Sequence, residues 1–277
     1  MDGAVRRVGV LTVFVAILST AGCGRDDRVD IEDMTAPEIF NQAEGELEAR
    51  NFGDAAVTFG EVERLYPYSE LAKRALIMQA YSYHADRDYE NSRAAAQRYI
   101  DFYPVGEDVA YAQYTVALSH YDQIDEIGRD QGVTFDALQA LRTVIERYPD
   151  SEYARSSSLK FDLAFNHLAA KEMEIGRFYL KRGHHAAAVN RFRVVVEDFQ
   201  TTTHTAEALY RLIEAYLSLG LAEEAQTAGA ILGHNFQSTQ WYGDGYTLLT
   251  GRGLRTEVAD DGWLRQVYRQ MIRGEWR

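Results

Sequence analysis

Apolar residues in this chain recur at helical spacing in paired segments, and each pair ends on the same kind of stop. From Pro37 to Arg50 the positions Ile39, Phe40, Ala43 and Leu47 share one helical face, with Pro37 suited to the first turn and Thr35 to the cap. Asn51-Phe52-Gly53-Asp54 breaks that segment, and a second one carries Ala55, Val57, Phe59, Val62 and Leu65 up to Tyr66-Pro67. The break and the closure return, altered, as Tyr89-Glu90-Asn91-Ser92 with Tyr103-Pro104, and as Phe135-Asp136-Ala137 with Tyr148-Pro149. A looser copy runs from Gly183 to Ala188 and ends in Asp198-Phe199-Gln200. Three of the four prolines sit in these closures. Proline cannot continue a helix and biases the residue before it out of helical geometry, so each Tyr-Pro reads as a helix end at a fixed place in a repeating unit.

Two antiparallel helices and a turn, in units of about 34 residues, make a tetratricopeptide-type repeat. Counting back from each closing residue tests the register. Eight and twelve residues before Pro67 stand Phe59 and Ala55; before Pro104, Ala96 and Ser92; before Pro149, Leu141 and Ala137; before Gln200, Phe192 and Ala188. Ala80 and Tyr83 occupy the small and tyrosine positions of one first helix, Gly176 and Tyr179 those of another, and a last unit has Tyr216, Gly220 and Ala225. Small residues let two helices approach and large ones wedge into the gap. The sequence therefore predicts an all-α protein, a tetratricopeptide-type α-solenoid of five divergent repeats, approximately 35–68, 69–105, 106–150, 151–201 and 202–235.

The spacing is uneven. An insertion, Asp122 to Val133, separates the helices of the third unit, and the fourth has a long first helix, Ser156 to Lys181, broad enough to present a face. Insertions in solenoids usually fall on one binding surface. After Gly233 the pattern lapses: Gly243 to Gly253 reads as loop, and residues 241–277 as an irregular tail. Within it Trp263, Val267, Tyr268 and Ile272 either form a short amphipathic helix or stay mobile.

Hydrophobic content of 46% and charged content of 26% are those of a folded soluble protein, and 277 residues suffice for a sizeable core. The net charge of −13 argues against a nucleic-acid partner, which would call for basic phosphate contacts. Removing residues 1–22 takes away Arg6, Arg7 and Asp2, leaving 27 basic and 41 acidic residues and a charge of −14. The single cysteine, Cys23, rules out an intramolecular disulfide.

The context of that cysteine is specific. Arg6-Arg7, the apolar run Val8 to Leu18 and small residues to Gly22 make a secretory signal peptide over 1–22, too short for a membrane-spanning helix of about 20 residues. Thr20-Ala21-Gly22-Cys23 resembles the bacterial lipobox, with Thr20 in place of the preferred Leu. The likeness implies a covalent diacylglycerol and an N-acyl chain on Cys23, each buried methylene contributing about 0.8 kcal/mol of anchoring. Gly24 follows, rather than the Asp of an inner-membrane retention signal, which implies the outer membrane with the body on its periplasmic face. Residues 23–34 read as a lipidated tether.

No catalytic constellation accompanies this. Ser157-Ser158-Leu159-Lys160 has the Ser-x-x-Lys spelling without its Ser-Asp-Asn and Lys-Thr-Gly partners. His184-His185 are neighbours at a turn without further ligands, and glycines 243, 245, 251 and 253 lack the dinucleotide-binding spacing. The sequence predicts a binding scaffold, not an enzyme, with no metal and no cofactor beyond the lipid.

Together, signal peptide, lipobox and five repeats with Tyr-Pro closures resemble the outer-membrane assembly lipoprotein family BamD (ComL). Leu65-Tyr66-Pro67-Tyr68-Ser69, Arg147 to Tyr153, Arg129-Asp130-Gln131 in the insertion, Leu168 to Tyr179 and Gly183 to Arg191 carry the likeness. It runs from Cys23 to about residue 240, with 251–277 a departure. The resemblance implies work in the machine that inserts β-barrel proteins into the outer membrane. Its implied partners are the periplasmic domains of the barrel subunit BamA, other Bam lipoproteins and unfolded barrel substrates. It places Asn190-Arg191, and Arg129-Asp130, at partner-binding positions. Arg191 either makes charge-assisted bonds across that interface or is a surface arginine without a partner. Stacked helix pairs also form a groove for extended peptide, in which Phe40 and Tyr81 either receive an aromatic substrate residue or pack between helices.

A different periplasmic repeat adaptor, for cell division or pilus biogenesis, would share the repeats but is not expected to carry Arg129-Asp130-Gln131 in register with this fourth unit. An envelope enzyme would need an acid–base pair or an activated nucleophile, and neither is found. Mass spectrometry of the mature N-terminus tests the anchor: an acylated Cys23 is expected, and an unmodified start elsewhere refutes it.

Overall fold

Helix starts and stops written into the sequence account for most of the architecture. The computed structural model describes residues 30–257 and 262–273, in which twelve α-helices and one 3-10 turn occur and no strand. The chain divides into two units, residues 1–34 and 35–277. Of the first, only residues 30–34 are described: a turn, Ile31–Asp33, capped by Asp30, whose carboxylate accepts the Glu32 amide at 3.5 Å.

The second unit is a solenoid. Its first ten helices form five pairs: α1 (Ala36–Glu48) with α2 (Phe52–Leu65), α3 (Glu70–Ala85) with α4 (Tyr89–Phe102), and α5 (Val109–Tyr121) with α6 (Gly132–Arg147). α7 (Glu152–Lys181) and α8 (His185–Asp198), then α9 (Thr205–Leu219) and α10 (Ala222–Asn235), complete them. Each helix packs on the next, and the first helices α1, α3, α5, α7 and α9 also touch in that order. Among the described residues no helix is long and apolar enough to cross a membrane.

Three of the five first helices, α1, α3 and α7, begin on side-chain caps. Glu38 accepts both the Thr35 amide and its hydroxyl at 2.7 Å, closing a capping box with Pro37 in the first turn. Ser69 and Ser151 accept amides of Leu71 and Ala154, each at 3.2 Å. Second helices end on one aromatic residue each: Tyr66, Tyr103, Tyr148, Phe199 and Phe236 all leave helical geometry with φ between −121° and −132°. Each still donates its amide to the carbonyl four residues back. The fifth closure, Phe236, like Phe199, has no proline after it.

Seventeen residues before each closing residue, the turn inside a pair needs a left-handed backbone. Arg50, Arg87, Gly183 and Gly220 occupy that place with φ of 62°, 65°, 78° and 76°. Glycine adopts this conformation freely and arginine does so with strain. In the third pair the same place falls on Gly132, where the Asp122–Gln131 insertion has displaced the turn and α6 begins.

The register positions are the core. Phe59, Ala96, Leu141 and Phe192 have no exposed surface, nor do Ala55, Ser92, Ala137, Ala188 and Ala225. Burying a large apolar side chain in this way contributes about 1.5–3 kcal/mol. Gly176 lies against the Phe192 ring so closely that a Cβ there would collide with it. Ser92, the one polar residue in the small position, donates to the Ala80 carbonyl at 2.9 Å and accepts from Ser119 at 3.2 Å, tying the second pair to the third.

Two expectations change. The tail is not irregular throughout: among its described residues, two helices occur. Gly243 and Gly245 lie inside α11 (Gln240–Thr250), and a Cβ on Gly245 would press on Ile213 and Leu232, so Gly245 serves close packing rather than a loop. α12 (Trp263–Arg273) is the amphipathic alternative: Leu264 and Val267 are buried, and the Trp263 indole donates to the Tyr216 hydroxyl at 3.1 Å. Secondly, Phe40 is only 3% exposed and meets Phe59 edge-on at 5.3 Å. It belongs to the packing between α1 and α2 and has no face to offer a peptide.

Two substitutions test this packing with opposite signs. Gly176→Ala should lower unfolding stability by about 1–3 kcal/mol through overpacking against Phe192. Arg87→Gly should raise it by about 1 kcal/mol by relieving the left-handed strain. Urea denaturation followed by circular dichroism measures both.

Candidate functional site

The repeat geometry produces the same depression twice. One cleft, of about 820 Å³, lies between α2 and α4 over α3. A larger one, of about 1130 Å³, lies between α6 and α8 over α7. Their linings match by register. Val57 and Gln139 stand ten residues before their closing residues, and Gly60 and Arg142 seven. On the following second helix Arg98 matches Val194, Phe102 matches Asp198, and Tyr103 matches Phe199.

The larger cleft has an aromatic floor and a charged rim. On α7, Phe161 and Phe165 stack with centroids 5.8 Å apart, and Phe165 meets Phe199 at 4.8 Å. The Arg142 guanidinium lies over the Phe161 ring at 5.5 Å, and Phe135 lines the cleft 59% exposed. The rim is the insertion. Arg129 pairs with Asp125 at 3.2 Å, Asp130 accepts the Gly132 amide at 3.2 Å, and Lys171 of α7 donates to the Arg129 carbonyl at 3.0 Å. That last bond ties the inserted loop to the long helix.

Three of the four partner-binding candidates from the sequence meet here. Arg129 and Asp130 line the cleft, and Arg191 bonds across to Glu172, which also lines it, at 3.1 Å. Arg191 is therefore not the partnerless surface arginine of one alternative: it already bridges α7 and α8. Asn190 is exposed on α8 next to it. Tyr81 is 44% exposed on α3 and lines neither cleft. Near it, burial raises the Tyr111 phenol above its ordinary value, Thr115 acting against this and Tyr153 and Tyr81 adding to it. Cys23 lies outside the described residues.

Of the cleft's phenylalanines, Phe161 and Phe165 were not singled out in the sequence, and Phe135 and Phe199 stood out only as repeat positions. Phe161 and Phe165 show the four-residue spacing of a core stripe, and only the placement of α6 and α8 on either side of α7 makes them a floor. Among the described residues no cluster of three or more His, Cys, Asp or Glu could hold a metal ion.

A family model described as YfiO, outer membrane lipoprotein, matches residues 32–231, which takes in four of the helix pairs and most of the fifth. The chain belongs to this family. The family's match ends within α10, so α11 and α12 lie beyond it. Among its relatives, the outer membrane protein assembly factor BamD of Caulobacter vibrioides is 41% identical over 251 residues, covering 91% of this chain and 82% of that one. The protein of the same name from Rickettsia prowazekii is 40% identical over 234 residues, covering 84% and 92%. That of Neisseria meningitidis serogroup A is 28% identical, covering 82% and 90%.

The Arg191–Glu172 bridge, with Arg191 42% and Glu172 19% exposed, should be worth little to the fold. A double-mutant cycle of Arg191→Gln and Glu172→Gln is expected to give a coupling of about 0.2–1 kcal/mol in urea denaturation. A larger coupling would make the pair a structural element rather than a surface feature.

Proposed function

We propose that this protein is a non-enzymatic subunit of the outer-membrane β-barrel assembly machinery. It is held at the periplasmic face of the outer membrane by acyl chains on Cys23. It scaffolds the barrel subunit BamA and other Bam lipoproteins, and assists the folding and insertion of unfolded barrel substrates. One observation carries the reading: two relatives at least 40% identical over more than four-fifths of this chain are both outer membrane protein assembly factors.

The geometry supports a scaffold. Helix pairs stacked in order make a preorganised surface, which spares a partner most of the ordering cost on the scaffold's side. The cleft between α6 and α8 brings the inserted Arg129-Asp130 and the Arg191–Glu172 pair to one place, which suits a partner dock. The cleft between α2 and α4 presents Tyr68 and Phe102 to solvent and takes the role of peptide groove that Phe40 cannot fill.

Depletion of the protein in cells should strip barrel proteins from the outer membrane, measured by quantitative mass spectrometry of that fraction. A tagged copy should recover a large barrel protein with soluble periplasmic domains, and Arg191→Glu should reduce that recovery by about tenfold. Unchanged barrel content on depletion, with a septation or pilus defect instead, would overturn the reading.

A further inference from the structure

The two register-equivalent clefts differ at one decisive position. Where the smaller has Gly60, the larger has Arg142. In the smaller cleft both arginines are satisfied internally, Arg64 by Glu61 and Arg98 by Glu63 at 3.2 Å and Gln79 at 2.6 Å. Arg142 pairs with no carboxylate among the described residues; its guanidinium rests on the face of Phe161. The Lys171 ammonium also lacks a carboxylate and bonds a backbone carbonyl. Two of the three acids in the lining are occupied: Glu172 by Arg191, and Asp130 by the Gly132 amide. Asp198 stands at the α8 wall.

A guanidinium stacked on a ring is weakly hydrated and keeps its planar edge free, which is the geometry that binds a carboxylate through two parallel bonds. Beside it, Phe161, Phe165 and Phe199 present ring faces and edges for offset or edge-on contact with an incoming aromatic ring. The volume of about 1130 Å³ is that of a pocket for a few side chains, not the footprint of a folded domain.

We propose that the cleft between α6 and α8 is a linear-motif site. It takes an extended polypeptide segment in which an aromatic residue stands next to an acidic one, the ring on the phenylalanine floor and the carboxylate on Arg142. This rests on the reading of the cleft as a partner dock and specifies what the partner must present. The cleft between α2 and α4 has Gly60 in the equivalent place and holds its two arginines on Glu61 and Glu63, so it discriminates against such a segment.

The test uses the full lipidated protein in mild detergent and fluorescein-labelled peptides of Gly and Ser with a central Glu-Phe, Gln-Phe or Glu-Ala. Fluorescence anisotropy should show saturable binding of the Glu-Phe peptide, weakened at least about fivefold in the other two and by raised salt. Arg142→Gln should weaken Glu-Phe binding to the level of Gln-Phe, while Arg98→Gln in the other cleft leaves it unchanged. Arg142 is exposed, so the variant is expected to fold, and the comparison of peptides on the unaltered protein stands without it. No saturable binding up to about 1 mM, equal binding of all three peptides, or indifference to Arg142→Gln would overturn the proposal. Such a result alongside normal recovery of the barrel protein would leave the scaffold reading intact and point to a folded surface as the occupant. Loss of the scaffold reading would show instead as unchanged barrel content on depletion.

Discussion

Everything in this solenoid depends on how closely the second helix of each pair approaches the first. The small residue twelve places before each closure, an alanine in four pairs and Ser92 in the other, has no exposed surface in any of them. Where the partner position is also small, as with Gly176 facing Phe192, a large ring fills the space that a Cβ would need. Interiors packed to this density do not deform gradually, so one contact repeated five times sets the stacking of the whole array.

The clefts are consequences of that stacking. Successive second helices are held apart by the first helix between them, and the gap appears wherever their side chains leave it open. The same register positions line both clefts, yet one has Gly60 and Tyr103 where the other has Arg142 and Phe199. Repetition supplies the shape, and local substitution supplies the chemistry. The inserted loop adds a third ingredient, because Lys171 of the thirty-residue α7 holds Arg129 at the cleft's edge.

A solenoid must also end. The last repeat would expose the apolar face that earlier pairs bury against a following unit. Here Gly229 sits at the place of Phe59 and Phe192, and the gap is filled by Leu249 of α11. Leu264 and Val267 of α12 enter the same core, and Arg193 lies over the Trp263 ring at 4.9 Å. Two helices outside the repeat pattern thus seal the end that the pattern leaves open.

Sequence alone determined the all-helical class, the five pairs and the buried register, because proline stops and small residues act through local sterics that a single segment displays. It also marked Arg129, Asp130 and Arg191, through likeness to a family. It misread Gly243 and Gly245 as loop; at Gly245 glycine signals a turn and close packing with the same letter, and only Ile213 and Leu232 decide between them. It ended the fifth repeat beside Phe236 without naming that residue as a closure, and it offered Phe40 to a peptide that the neighbouring Phe59 excludes. The cleft itself was decided only by the tertiary structure. Phe161, Phe165, Arg142 and Phe199 come from three helices, and whether an aromatic stripe is core or floor depends on what packs over it.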